Sequence, residues 1–134
     1  MTFILTRRTA FISAFSILST PLLAQILNGP GIKFSKTAFE AAQAADQSII
    51  VEVTAPWCPV CKVQKPILAA LKDKPEFANV AIFEIDFDSQ KDLLQLFRVS
   101  KQSTLIAFRG KIEKSRLIGE TKPEVIETLV KTTI

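Results

Sequence analysis

The stretch Ser48-Ile49-Ile50-Val51-Glu52-Val53-Thr54 runs through Ala55-Pro56 into Trp57-Cys58-Pro59-Val60-Cys61-Lys62, and the rest of the chain is organised around it. Apolar residues are nearly continuous from Ile49 to Val53, so the segment reads as a strand buried on both faces. Cys58 and Cys61 are the only two cysteines. They stand where this strand gives way to helical periodicity, expected from Val60 to about Lys72 with Val63, Ile67, Leu68 and Leu71 facing inward. A CxxC pair at a helix start keeps two sulfurs within reach of each other, and the helix N-terminus favours the thiolate. The pair therefore reads as a redox switch between dithiol and disulfide, with Cys58 as the exposed, low-pKa thiol.

Other readings of close cysteines fit less well. A bridge closing so small a loop restrains the unfolded chain little and is a weak structural staple. Zinc takes three or four Cys, His or acidic ligands, whereas this chain has no histidine and no third cysteine. One non-enzymatic alternative stays open: a metal ion or iron–sulfur cluster held between two subunits, each supplying two cysteines. No cofactor is otherwise expected.

Glu52 is the one charged residue in the apolar strand. Burying a carboxylate there is costly unless it has a task or a partner. It is a candidate proton acceptor for Cys61, acting directly or through water, with burial raising its pKa toward the working range.

A chain of 134 residues, 48% hydrophobic, has room for one domain with a sizeable core. Arg7 and Arg8 supply two of the four net positive charges. The remainder is too weakly basic, and too poor in interleaved aromatic and basic residues, to suggest nucleic acid. Met1 to Arg8 ends in a positive pair, Thr9 to Ala24 is apolar with small hydroxyl residues, and Pro21 precedes Leu22-Leu23-Ala24. This is signal-peptide architecture with cleavage expected after Ala24; an uncleaved membrane anchor is the alternative. Arg7-Arg8 also raises twin-arginine export, with ordinary secretion the better match. Either route leads to a periplasmic or otherwise extracytoplasmic space that permits disulfides.

Residues 25–31 form a turn-rich linker, and the domain spans 32–134. Ser35 is expected to cap a helix to about Ala45. Val80 to Asp86 reads as a second central strand, followed by a helix from about Ser89 to Phe97. Thr104–Phe108 and Ile112–Ile118 are expected to form a hairpin, and a last helix is expected from Lys122 or Pro123 to about Lys131, with Pro123 suited to its first turn. Pro66 falls inside the helix after the cysteines and is expected to kink it. The order implies an α/β fold, a mixed sheet of four to five strands with helices on both faces.

Motif and element order together resemble the thioredoxin family over roughly residues 32 to 134. Trp57, Cys58 and Cys61 match its active-site motif, Lys62 and Pro66 the lysine and proline that follow, Val80-Ala81 and Ile85-Asp86 its third strand, and Gly119 the glycine ending the last strand. Glu52 stands where that family carries a buried aspartate. The resemblance implies a thiol-disulfide oxidoreductase with Cys58 as nucleophile and Cys61 as resolving thiol. It also implies a substrate groove of Trp57, Pro59, Val60, Gln102, Ser103 and Gly119.

Three positions depart from the pattern. Ser103 replaces the family's cis-proline, so the Gln102–Ser103 bond is expected to be trans. Thr54 replaces a usual tryptophan, and Val60 enlarges the residue between the cysteines. If Ser103 only fills space, Ser103→Pro should leave the fold intact and raise activity toward a generic disulfide; if its hydroxyl or amide contacts a dedicated partner, exchange with that partner should fall while generic activity rises. The expected partners are protein thiols and disulfides, with a membrane electron carrier as a further candidate. Direct membrane contact is expected only if the N-terminal segment stays uncleaved. The expected role is reductase or electron relay.

Overall fold

The computed structural model describes residues 31–134. The expected export segment 1–24 and all of the linker but Gly31 lie outside the described residues. Among these, no helix is long and apolar enough to cross a membrane.

Five strands and four helices follow in the order β1 (Ile32–Lys33), α1 (Lys36–Ala44), β2 (Ser48–Thr54), α2 (Pro59–Lys72), β3 (Ala81–Asp86), α3 (Lys91–Leu96), β4 (Thr104–Arg109), β5 (Ile112–Ile118) and α4 (Pro123–Lys131). A short 3-10 turn, Pro75–Phe77, joins α2 to β3. Ser35 caps α1 as its sequence implies, its side chain accepting from the Ala38 N–H at 3.4 Å. Pro123 occupies the first turn of α4.

The sheet order is β1-β3-β2-β4-β5. β2 is parallel to β3 and antiparallel to β4, and β4 continues antiparallel to β5. The mixed sheet read from the sequence is thus present, with β2 at its centre and buried from Ser48 to Val53. Alternation along β2 divides the core. Ile49, Val51 and Val53 pack with Phe34, Phe39, Phe83, Phe97 and Phe108 on the α1/α3 face. These five phenylalanines meet mostly edge to face, with centroids 5.2 to 6.1 Å apart. Ile50 packs with Leu68, Leu71, Leu105, Ile126 and Leu129 on the α2/α4 face. Glu52 shares that second face.

One stripe differs from expectation. The buried residues of α2 are Cys61, Gln64, Leu68 and Leu71, while Val63 is 44% exposed. With Cys61 turned inward, a 3.6-residue period buries positions three, seven and ten further on, and Val63 falls outside that arc. Position 64 must therefore be buried although it is a glutamine.

Candidate active site

The cysteine motif sits just past the C-terminal end of the central strand, where α2 begins. Cys58 is the N-cap of α2, and its Sγ accepts from the Cys61 N–H at 3.1 Å. The helix thus places a free N–H on the first sulfur, which stabilises negative charge there once the bond is opened. Pro59, at the first helical position, has no N–H to satisfy. Cys58 and Cys61 are joined as a disulfide with Cα atoms 5.3 Å apart. Both are only 1% exposed, packed with Ala55, Val60 and Phe87. The expectation of an exposed Cys58 does not hold for the oxidised form, because Ala55, Val60 and Phe87 pack around the pair.

Trp57 is 55% exposed, yet fixed: its Nε1 donates to the Asp88 carboxylate at 2.7 Å and its ring meets Phe87 edge to face. The motif's aromatic shoulder is therefore held in place, not free to sweep the surface.

Glu52 is 2% exposed, and its Oε1 has no hydrogen-bond partner among the described residues. Burial pushes its pKa up to about 7, against the lowering effect of Lys65 and with a smaller upward contribution from Glu84. Lys65 and Glu84 form an ion pair at 2.8 Å. Two cavities meet at this pair. One, of about 510 Å³, is lined by Glu52, Lys65 and Glu84; the other, of about 390 Å³, by Cys61, Lys62, Lys65 and Glu84. Glu52 and Cys61 thus open onto neighbouring spaces divided by one ion pair, an arrangement suited to proton passage through water.

The segment before β4 comes to the same place. The Ser103 N–H donates to the Val53 carbonyl at 2.8 Å, and Cys61 Sγ lies 3.9 Å from that oxygen. Ser103 is buried and held at φ +57°, with no cis bond among the described residues. Its carbonyl accepts from the Gly119 N–H at 3.0 Å, with Gly119 at φ +69°. Ser103 is therefore tied to the strand end that Cys61 approaches, and Gly119 is tied to Ser103. The residue missed from sequence is Gln64, whose Nε2 donates to the carbonyls of Ser103 and Glu120 at 3.2 and 2.9 Å. The spacing Cys61, Gln64, Leu68, Leu71 was the available signal.

Among the described residues, no group of three or more His, Cys, Asp or Glu side chains is placed to hold a metal ion.

The family described as thioredoxin matches residues 31–132. The chain is 32% identical over 90 residues to thioredoxin H5 of Arabidopsis thaliana, covering 67% of this chain and 75% of that protein. The solved structure of Trxlp from Edwardsiella tarda EIB202 is 44% identical, covers 73% of this chain and 95% of its own, and superimposes with a TM-score of 0.71. Thioredoxin NaTrxh from Nicotiana alata, 24% identical, shares the fold with a TM-score of 0.68 over 78% of this chain and 93% of its own.

Proposed function

The chain belongs to the thioredoxin family and is a thiol-disulfide oxidoreductase, and from that premise we propose that it works outside the cytoplasm as a reductant or electron relay for protein disulfides. The observation that carries the chemistry is the capped sulfur: Cys58 Sγ receives the Cys61 N–H at the start of α2. In the reduced protein the Cys58 thiolate attacks one sulfur of the substrate disulfide, and the other leaves as a thiolate. Cys61 then attacks Cys58 Sγ, breaking the mixed disulfide and releasing the second substrate thiolate. Two electrons pass to the substrate, and the protein ends as the Cys58–Cys61 disulfide. Glu52 takes the proton that Cys61 gives up. A dithiol protein or membrane dithiol carrier restores the reduced pair.

Reduced protein treated with limiting iodoacetamide is expected to lose Cys58 first, because only that sulfur is stabilised by the helix start. Cys61→Ser should accumulate a mixed disulfide through Cys58. Faster labelling of Cys61, or no trapped species, would reverse the assigned roles.

Export is the part of the proposal carried by residues 1–24. Expression of the full chain in a bacterial host is expected to yield a periplasmic protein beginning at Gln25. A cytoplasmic product retaining Met1 would remove the extracytoplasmic assignment and leave the exchange chemistry intact.

A further inference from the structure

We propose that Gln64 is the positioning residue that shapes the substrate groove, and so determines how well this protein engages protein disulfides as opposed to small ones. The inference rests on the oxidoreductase reading and adds to it a residue outside the cysteine motif.

Gln64 is 0% exposed and is the only amide in the inward stripe of α2. Its Oε1 is buried without a hydrogen-bond partner among the described residues. An unpaired buried polar atom is destabilising, a penalty that an apolar side chain of the same length would avoid. A glutamine at this point is thus poorly explained by packing. What the carboxamide does make is a two-point tie: Nε2 donates to the Ser103 carbonyl before β4 and to the Glu120 carbonyl after β5.

The tie falls where regular structure stops. The β4–β5 pairing reaches its end at Thr104 and Ile118. Beyond it, Ser103 and Gly119 both adopt left-handed backbone and are linked by the Gly119 N–H to Ser103 carbonyl bond. For a residue with a Cβ, that conformation is strained and persists only where the surroundings enforce it. Gln64 supplies part of that enforcement from α2, one turn past Cys61. A closed circuit results: Cys61 Sγ approaches the Val53 carbonyl, that carbonyl holds the Ser103 N–H, and the Ser103 carbonyl returns through Gln64 to the helix bearing Cys61. Backbone that a polypeptide substrate meets on approaching Cys58 is thereby fixed relative to the sulfurs. A small disulfide reaches only the sulfurs and does not sense it.

The test uses the full chain and Gln64→Met, which keeps length and loses both bonds. Insulin serves as the protein disulfide and 5,5′-dithiobis(2-nitrobenzoate) as the small one. The KM for insulin is expected to rise about fivefold to tenfold with kcat little changed, while kcat/KM for the small disulfide and the Cys58/Cys61 dithiol–disulfide equilibrium constant stay within about twofold. Amide hydrogen exchange should accelerate at Gly119 and neighbouring residues in the same variant. Equal losses on both substrates, or no change on either, would overturn the proposal. Should Gln64→Met fail to fold, Gln64→Asn, one methylene too short to span both carbonyls, answers the same comparison. If the unaltered chain reduces neither substrate, the oxidoreductase reading fails, and the exchange at Gly119 still decides whether Gln64 holds these loops.

Discussion

Glu52→Gln is expected to slow release of the second substrate thiol by roughly tenfold to a hundredfold near pH 8, and to change formation of the mixed disulfide by less than about twofold. The carboxylate's cavity adjoins, through Lys65 and Glu84, the one lined by Cys61, and Cys58 lines neither, so only the second exchange needs it. Stopped-flow measurement of the two phases checks this, and equal slowing of both would remove the proton-acceptor role. The same residue links stability to pH. With a pKa raised from 4.5 to about 7, the folded state holds the proton more tightly than the unfolded chain. Its favourable contribution is full below pH 4.5, falls as pH rises from 4.5 to 7, and is flat above. At about 1.36 kcal/mol per pH unit, the loss across that window is about 3 kcal/mol. Glu52→Gln should remove it, so urea midpoints of the variant change less between pH 5 and pH 8 than those of the unaltered protein. Lys65→Met should act in the opposite sense on the wild-type carboxyl, since the lysine is what lowers it. Its pH–rate profile is expected to move upward.

What the sequence made legible was whatever rests on periodicity or on a local cap. β2 is found with the expected bounds because seven residues of near-continuous apolar character admit little else. Ser35 capping α1, Pro123 opening α4 and the hairpin about Gly110 are likewise local chemistry. β1 escaped because two residues carry no period, and its existence depends on pairing with Phe83 and Glu84 fifty residues away. The inward face of α2 was read one position off, since Val63 is apolar and Gln64 is not. Burial there is decided by where Cys61 points, and tertiary context overrode side-chain polarity. Cys58 is buried in the disulfide form in part by Phe87, which a local reading of the motif does not bring to it. The left-handed backbone at Ser103 is set by hydrogen bonds from three separate segments, none adjacent in the chain to the others.

That backbone reverses the expectation for Ser103→Pro. Proline fixes φ near −65° and has no N–H, whereas Ser103 sits at φ +57° and donates to the Val53 carbonyl at 2.8 Å. The substitution would both forbid the observed conformation and orphan a buried carbonyl on the central strand, next to the disulfide. It is expected to destabilise the oxidised protein by about 3 kcal/mol or more. With the 102–104 segment displaced, the Ser103 carbonyl no longer meets Gln64 or Gly119, and turnover of insulin should fall, not rise. Ser103→Gly separates the backbone from the hydroxyl. It keeps the left-handed angle and the N–H, and loses only the contact of Oγ with the Gln102 carbonyl. Relief of the Cβ strain and the extra entropy of glycine nearly offset each other, so its stability should stay within about 1 kcal/mol of the unaltered chain. Urea unfolding and insulin turnover measured on both variants test the argument together. A proline variant as stable and as active as the glycine variant would mean that the segment tolerates another conformation, and that the hydrogen bonds at Ser103 do not determine the shape of the groove.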